Sequence, residues 1–130
     1  DVAKAALVVG RLWADALAPL LREPLVVHDG PLVETPWSRI DCFSGVGPGE
    51  VLCGRRKLVG VSQRRERAGT WFFSMAHLAF DPAEHAAVAN LDEESRAQLS
   101  AQLSREVAIL PLAPLVAQSA LARVVEALSE

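Results

Sequence analysis

From Leu25 to Phe80, glycine and proline cut the chain into short β-rich pieces, while apolar residues on both sides recur at helical spacing. That change of period confines the chain to a sheet with helices laid against it. Upstream, Val9, Leu12, Trp13, Ala16, Leu17 and Leu20 form a helical stripe within 2–21. Asp1 can cap its start, Pro19 disturbs its last turn and Pro24 ends it. In the middle block the pattern predicts strands over 25–28, 32–35, 39–43, 49–53, 56–63 and 70–79. His28-Asp29-Gly30-Pro31 and Gly45-Val46-Gly47-Pro48-Gly49 supply turns between them.

Downstream, Asp81-Pro82-Ala83-Glu84 offers an N-cap, a proline at the first helical position and a glutamate at the third. Asn90-Leu91-Asp92-Glu93 starts a second helix that turns Leu99 and Leu103 inward. Pro111 and Pro114 break the chain before a last helix that uses Leu121, Val124, Val125 and Leu128. The expected class is α/β of the α+β kind, a mixed and largely antiparallel sheet backed by helices. With 130 residues, 51% of them apolar, one domain and one core are expected.

No apolar stretch reaches the roughly 18 residues of a membrane span, because Arg11 and Asp15 interrupt the best candidate. The first segment lacks a basic start and a cleavage site, so a soluble, cytoplasmic protein is expected. Cys42 and Cys53 fall on pieces read as neighbouring strands, and free thiols are expected of both. His28, His77 and His85 show no ligand spacing with either cysteine, so no metal is expected. The net charge of −3 conceals six basic residues against Glu66 alone between Arg55 and Arg67, leaving −8 for the rest. Such a patch suits an acidic protein or a phosphate, or it keeps a strand edge from pairing. Nucleic acid is not expected, since the overall balance is acidic and no binding motif accompanies the patch.

The chemistry concentrates on 49–63. Gly54 stands where a tight hairpin turn needs positive φ. Strand alternation puts Lys57, Val59, Val61 and Gln63 on one face, and Arg56, Leu58, Gly60, Ser62 and Arg64 on the other. A lysine ammonium is a compact charge suited to a phosphate or a developing oxyanion. By spacing alone Lys57 fits a solvent-facing strand lysine better, because Gly54-x-x-Lys57-x-x-Gly60 is a weak motif.

The stretch Gly54-Arg55-Arg56-Lys57-Leu58-Val59-Gly60-Val61-Ser62-Gln63 resembles the lysine signature of the lipoate-protein ligase and octanoyltransferase family, the biotin/lipoate ligase type of catalytic domain. The similarity runs from about Pro36 to Phe73, with a looser match in the first helix, and Cys42-Phe43 and Gly49-Glu50-Val51 reinforce it. It implies that Lys57 contacts the acyl group and the adenylate phosphate. It also implies that Gly54, Arg56, Gly60, Ser62 and Gln63 line or brace the substrate pocket. The implied reaction attaches lipoate or octanoate to a lysine of an acidic lipoyl carrier domain through an acyl-adenylate made with ATP. An acyl carrier protein is a further implied partner.

Three departures accompany the resemblance. The family's upstream arginine and Gly-rich segment is missing, and Asp1 stands about where the following helix should begin. The expectation is therefore the C-terminal part of a catalytic domain, completed by its N-terminal half or by a second chain. The His-Gly pair expected after the lysine strand is Ser74-Met75, and His77, out of register, reads as a core histidine. Where ATP-dependent members carry Asn-Asp before the lysine block, this chain has Cys42-Phe43, which resembles the cysteine block of the ATP-independent octanoyltransferases. That branch works through a thioester, and Lys57 on an adjacent strand would lower the Cys42 pKa. Cys42 fits a small buried apolar residue as well. A non-catalytic subunit that only binds acyl group or carrier is the third reading. Elsewhere, Trp13, Trp37 and Trp71 are expected to pack in the core, with at least one of Phe72 and Phe73.

Overall fold

A computed structural model describes residues 2–130. It opens with α1 (Val2–Leu17), whose last turn tightens at Pro19 into the 3-10 turn Ala18–Leu20. Strands β1 (Leu25–Val27), β2 (Val51–Cys53), β3 (Arg56–Glu66) and β4 (Gly69–Met75) lie side by side in chain order, each neighbour antiparallel. Helices α2 (Pro82–Ala87), α3 (Glu93–Glu106) and α4 (Pro114–Ser129) follow. The architecture is the expected α+β one. Two isolated parallel bridges, Lys57 with Val107 and His77 with Ile109, tie the α3–α4 connection to the sheet. No described helix is long and apolar enough to cross a membrane.

The helix starts follow their caps. Asp81 accepts from the backbone of Ala83 and Glu84, and Asp92 from Ser95. The cap assigned to Asp1 lies outside the described residues. In α4 the inward positions are Ala120 and Val124, while Leu121, Val125 and Leu128 face outward, contrary to expectation. Small residues there let α4 lie close against α1, and Arg123 crosses to the Ala16 carbonyl at 3.0 Å.

The segments expected as strands over 32–35 and 39–43 are not strands. Only Val33 forms a bridge, with Val46. Beyond it, side chains take over the backbone partners a ladder would need. Ser38 Oγ accepts from Thr35 N, and Asp41 Oδ1 accepts from Phe43 N, both at 2.8 Å. The resulting loop is held on α3 through Ser44 Oγ, which donates to Glu106 Oε2 at 3.1 Å. Cys42 is thus on a turn and not on a strand beside Lys57. Both cysteines are free thiols.

A bulge changes the faces of β3. Val51 pairs with Val59, yet Leu52 pairs with Lys57, so Leu58 is an extra residue in the ladder. Val59 joins Leu58 in the core beneath α1. Lys57 and Gly60, which strict alternation sets on opposite faces, both look onto Phe43. The face assignment made from spacing is therefore wrong beyond the bulge.

Two apolar clusters result. One joins Val9, Trp13 and Leu17 of α1 to Val51, Leu58, Val59 and Val124. The other joins Phe43 to Ala86, Leu99, Leu103 and Val107 under α2 and α3. Trp13 packs as expected and donates from Nε1 to Ser74 Oγ at 3.0 Å. Phe72 packs against the first cluster, whereas Trp71 and Phe73 are exposed.

Helix α1 reaches the sheet through glycine. A Cβ on Gly10 would overlap the Gly49 carbonyl oxygen, and one on Gly49 (φ +88°) would overlap the Ala6 carbonyl. Backbone lies against backbone there, with no side chain able to yield. Gly10→Ala is expected to destabilise the protein by about 3 kcal/mol in urea unfolding, at the upper end of ordinary overpacking. Stability within 1 kcal/mol of the native chain would show that the contact relaxes freely.

Candidate functional site

The loop 41–50 and the first half of β3 enclose one lysine. Lys57 is 2% exposed, and its Nζ stands 2.9 Å from Glu50 Oε2 and 2.8 Å from the Cys42 carbonyl oxygen. The Phe43 ring covers it, with the centroid 5.2 Å from Nζ. It is therefore not a solvent-facing strand lysine. Glu50 is itself buried and also accepts from Gly47 N at 2.8 Å and Val61 N at 3.3 Å. A buried ammonium needs a counter-charge and hydrogen-bond acceptors, and this loop provides both.

In front of Phe43 a cavity of about 340 Å³ opens, its wall including Cys42, Phe43, Glu50, Gly60, Ser62, Phe73 and Met75. Its wall is predominantly apolar. Gly60 gives it room, since a Cβ there would lie 3.2 Å from the Phe43 ring and 3.7 Å from Glu50 Oε1. Cys42, Gly60 and Ser62 of the expected site residues meet here, with Lys57 directly behind. Gly54, Arg56 and Gln63 do not join them. Gly54 (φ +62°) makes the β2–β3 turn, Arg56 donates to the Ser104 carbonyl, and Gln63 stands opposite Phe72 on the α1 side.

The basic run also separates. Arg55 and Arg56 sit at one end of β3, and Arg64, Arg65 and Arg67 at the other, about 26 Å away along the strand. With Lys57 buried, the sequence cluster is two patches.

Burial pushes the Cys42 thiol up, Asp41 adds to the rise and Lys57 opposes it. The protein thus holds Cys42 as a thiol at neutral pH. Asp41, which fixes the Phe43 backbone, also meets Nε2 of His85 from α2. His77 lies between Phe43 and Phe80, with ring centroids 4.6 and 4.7 Å away, and its buried Nε2 has no partner among the described residues. Its pKa is lowered, first by burial and then by neighbouring His85.

Glu50, Phe43 and the Asp41–His85 contact escape a reading by spacing. Glu50 had a signal, an acid between Gly49 and the apolar Val51-Leu52, close in sequence to a strand that carries a single lysine. Comparison with family models, with curated proteins and with solved structures finds no match to this chain.

Removing one member of the buried pair should cost about 3–5 kcal/mol in either Glu50→Gln or Lys57→Met. The double variant should recover about 2 kcal/mol against the sum of the two, measured as a double-mutant cycle in urea. Strict additivity would mean that the pair contributes no coupling.

His77 generates a pH dependence of definite sign. Because the fold favours its neutral form, the unfolded chain binds more protons. Its contribution is complete above the usual histidine pKa of about 6.5 and is lost as pH falls through the lower folded value. His77→Phe keeps the ring contacts and should flatten the stability profile below about pH 6.5. An unchanged profile would assign the acid sensitivity to other groups.

Proposed function

We propose that this chain carries the acyl-binding part of a lipoate-protein ligase-like enzyme, which attaches lipoate or octanoate to a lysine of a cytoplasmic lipoyl carrier domain. The observation that supports this most is the predominantly apolar cavity before Phe43, backed by Lys57 and kept open at Gly60. An eight-carbon chain suits such a wall, with its carboxyl end toward Cys42 and Glu50. Lys57 is the cation placed to stabilise charge on the acyl carbonyl once its contact with Glu50 or the Cys42 carbonyl gives way. Phe43 excludes water from that exchange, and Ser62 offers a hydroxyl in the wall.

In the ligase reaction ATP supplies the leaving group that activates the free acid. The cavity wall does not by itself fit a nucleotide, because none of its residues is basic. That supports a second reading, ATP-independent octanoyl transfer through a Cys42 thioester, since Cys42 stands in the wall. Against it, the Cys42 thiol is held above its ordinary pKa, whereas a nucleophile needs the thiolate. The ligase reading therefore leads. A neutralised Lys57 would also suit a subunit that binds acyl group without transferring it.

The test is acylation of an unmodified lipoyl domain by the full-length polypeptide, followed by intact mass. Modification with lipoate and ATP is expected, with a loss of at least about 100-fold in Lys57→Met, the scale of a lost oxyanion donor. Gly60→Val should block it by filling the cavity. Modification only from an octanoyl thioester, lost in Cys42→Ser, would establish the transferase instead. No modification from either donor would leave the binding subunit.

A further inference from the structure

The open face of β3 and β4 has an order of its own. Its cross-strand pairs are Gly60 with Met75, Ser62 with Phe73, and Arg64 with Trp71. Trp71 is 60% exposed, Phe73 59% and Met75 46%, although Phe72 between them is packed on the core. Three large apolar side chains in one exposed line mark a contact surface. The line runs from the cavity at Gly60 and Met75 to the β3–β4 turn, where Arg64, Arg65 and Arg67 gather. The acid within that turn, Glu66, is bound to Arg64 at 3.0 Å. Beyond this line β4 is the sheet's edge strand.

We propose that the Trp71–Phe73–Met75 line is the docking surface for the acidic, lysine-bearing carrier domain, with a fixed polarity. This rests on the acyl-transfer reading of the adjoining cavity. The partner's carboxylates lie over Arg64 and Arg67, its apolar surface covers Trp71 and Phe73, and its acceptor lysine enters at Gly60 and Cys42. Arg64 and Gly60 are four strand residues apart, so the partner must carry its acidic patch about 13 Å from the lysine. Tryptophan and arginine are the side chains that most often dominate such contacts, and the charge adds speed and orientation. A second copy paired along β4 in antiparallel fashion would set these arginines against the Met75 end, where Ser74, Met75 and Ala76 carry no charge to answer them. A nucleic acid strand would need cations along the whole line, and here they occupy one end.

The experiment measures binding of an unmodified lipoyl domain to the full-length polypeptide by calorimetry, without any acyl donor, at low and high salt. Trp71→Ala is expected to weaken binding about tenfold or more. Arg64→Glu with Arg67→Glu should weaken it similarly at low salt and flatten its salt dependence. Leu115→Ser, on exposed α4, should change nothing. All these positions are exposed, so circular dichroism should show native folding in each variant. Wild-type failure to bind, or binding unaffected by Trp71→Ala, overturns the proposal. So does self-association that Trp71→Ala abolishes in sedimentation, or capture of a single-stranded oligonucleotide in place of the lipoyl domain. Intact-mass acylation separates the two claims. Undiminished acylation in the stripe variants removes the docking surface alone, whereas stripe-dependent binding with no acylation from either donor removes the acyl-transfer reading alone.

Discussion

The contact between Lys57 and Glu50 organises everything around the cavity. An ammonium removed from water requires an opposite charge at hydrogen-bond distance, and it fixes whatever supplies it. Here it fixes the start of β2 through Glu50 and the 41–44 turn through the Cys42 carbonyl. Glu50 then holds Gly47 on one side and Val61 on the other, so loop and strand are joined at one carboxylate. The turn is secured independently by Asp41 and by the hydroxyl contacts that lead to Glu106. Phe43 is therefore positioned from two directions, with Lys57 over its ring and the tilted His77 ring against it.

This arrangement explains how a polar centre can lie between two apolar clusters. The cluster under α1 and α4 stabilises the sheet, and that under α2 and α3 stabilises the loop. Where they meet, the chain places a charge pair whose demands are met by backbone and by one another. Such a pair gives less net stability than apolar packing would, but it specifies one arrangement of the loop. For the proposed acyl chemistry the same arrangement keeps a buried cation beside an apolar chamber.

Much of the fold was legible in the sequence, and the reasons are local. Asp81 and Asp92 announce their helices because a carboxylate cap acts within three residues. Gly54 announces its turn because few other residues adopt that backbone. The loop 32–44 escapes a local reading because Leu32, Val33 and Ile40 have strand-like character but stay exposed, while Thr35, Ser38 and Asp41 divert the backbone. The site was legible in part. Lys57, Cys42, Gly60 and Ser62 do converge, but Gly54, Arg56 and Gln63 do not, since a bulge and a long strand separate residues that are close in sequence. Glu50 was overlooked because an ion pair across strands has no fixed spacing. The outward turn of Trp71 was hidden for a related reason, as composition says that an aromatic residue is apolar and not which side of the sheet receives it.

The bulge at Leu58 acts as a phase shift in the two-residue rhythm of β3. Every side chain from Val59 onward owes its side of the sheet to that one inserted residue. Were β3 to run without the bulge, with Leu58 kept in regular alternation, the same residues would have their later positions exchanged inside for outside. Gly60 and Ser62 would turn toward α1, Val61 and Gln63 would take their places beside Phe43, and the chamber would close without any of its own residues being altered. The cavity is thus encoded as a parity, which depends on Leu58 standing outside the ladder as much as on the residues that line the chamber.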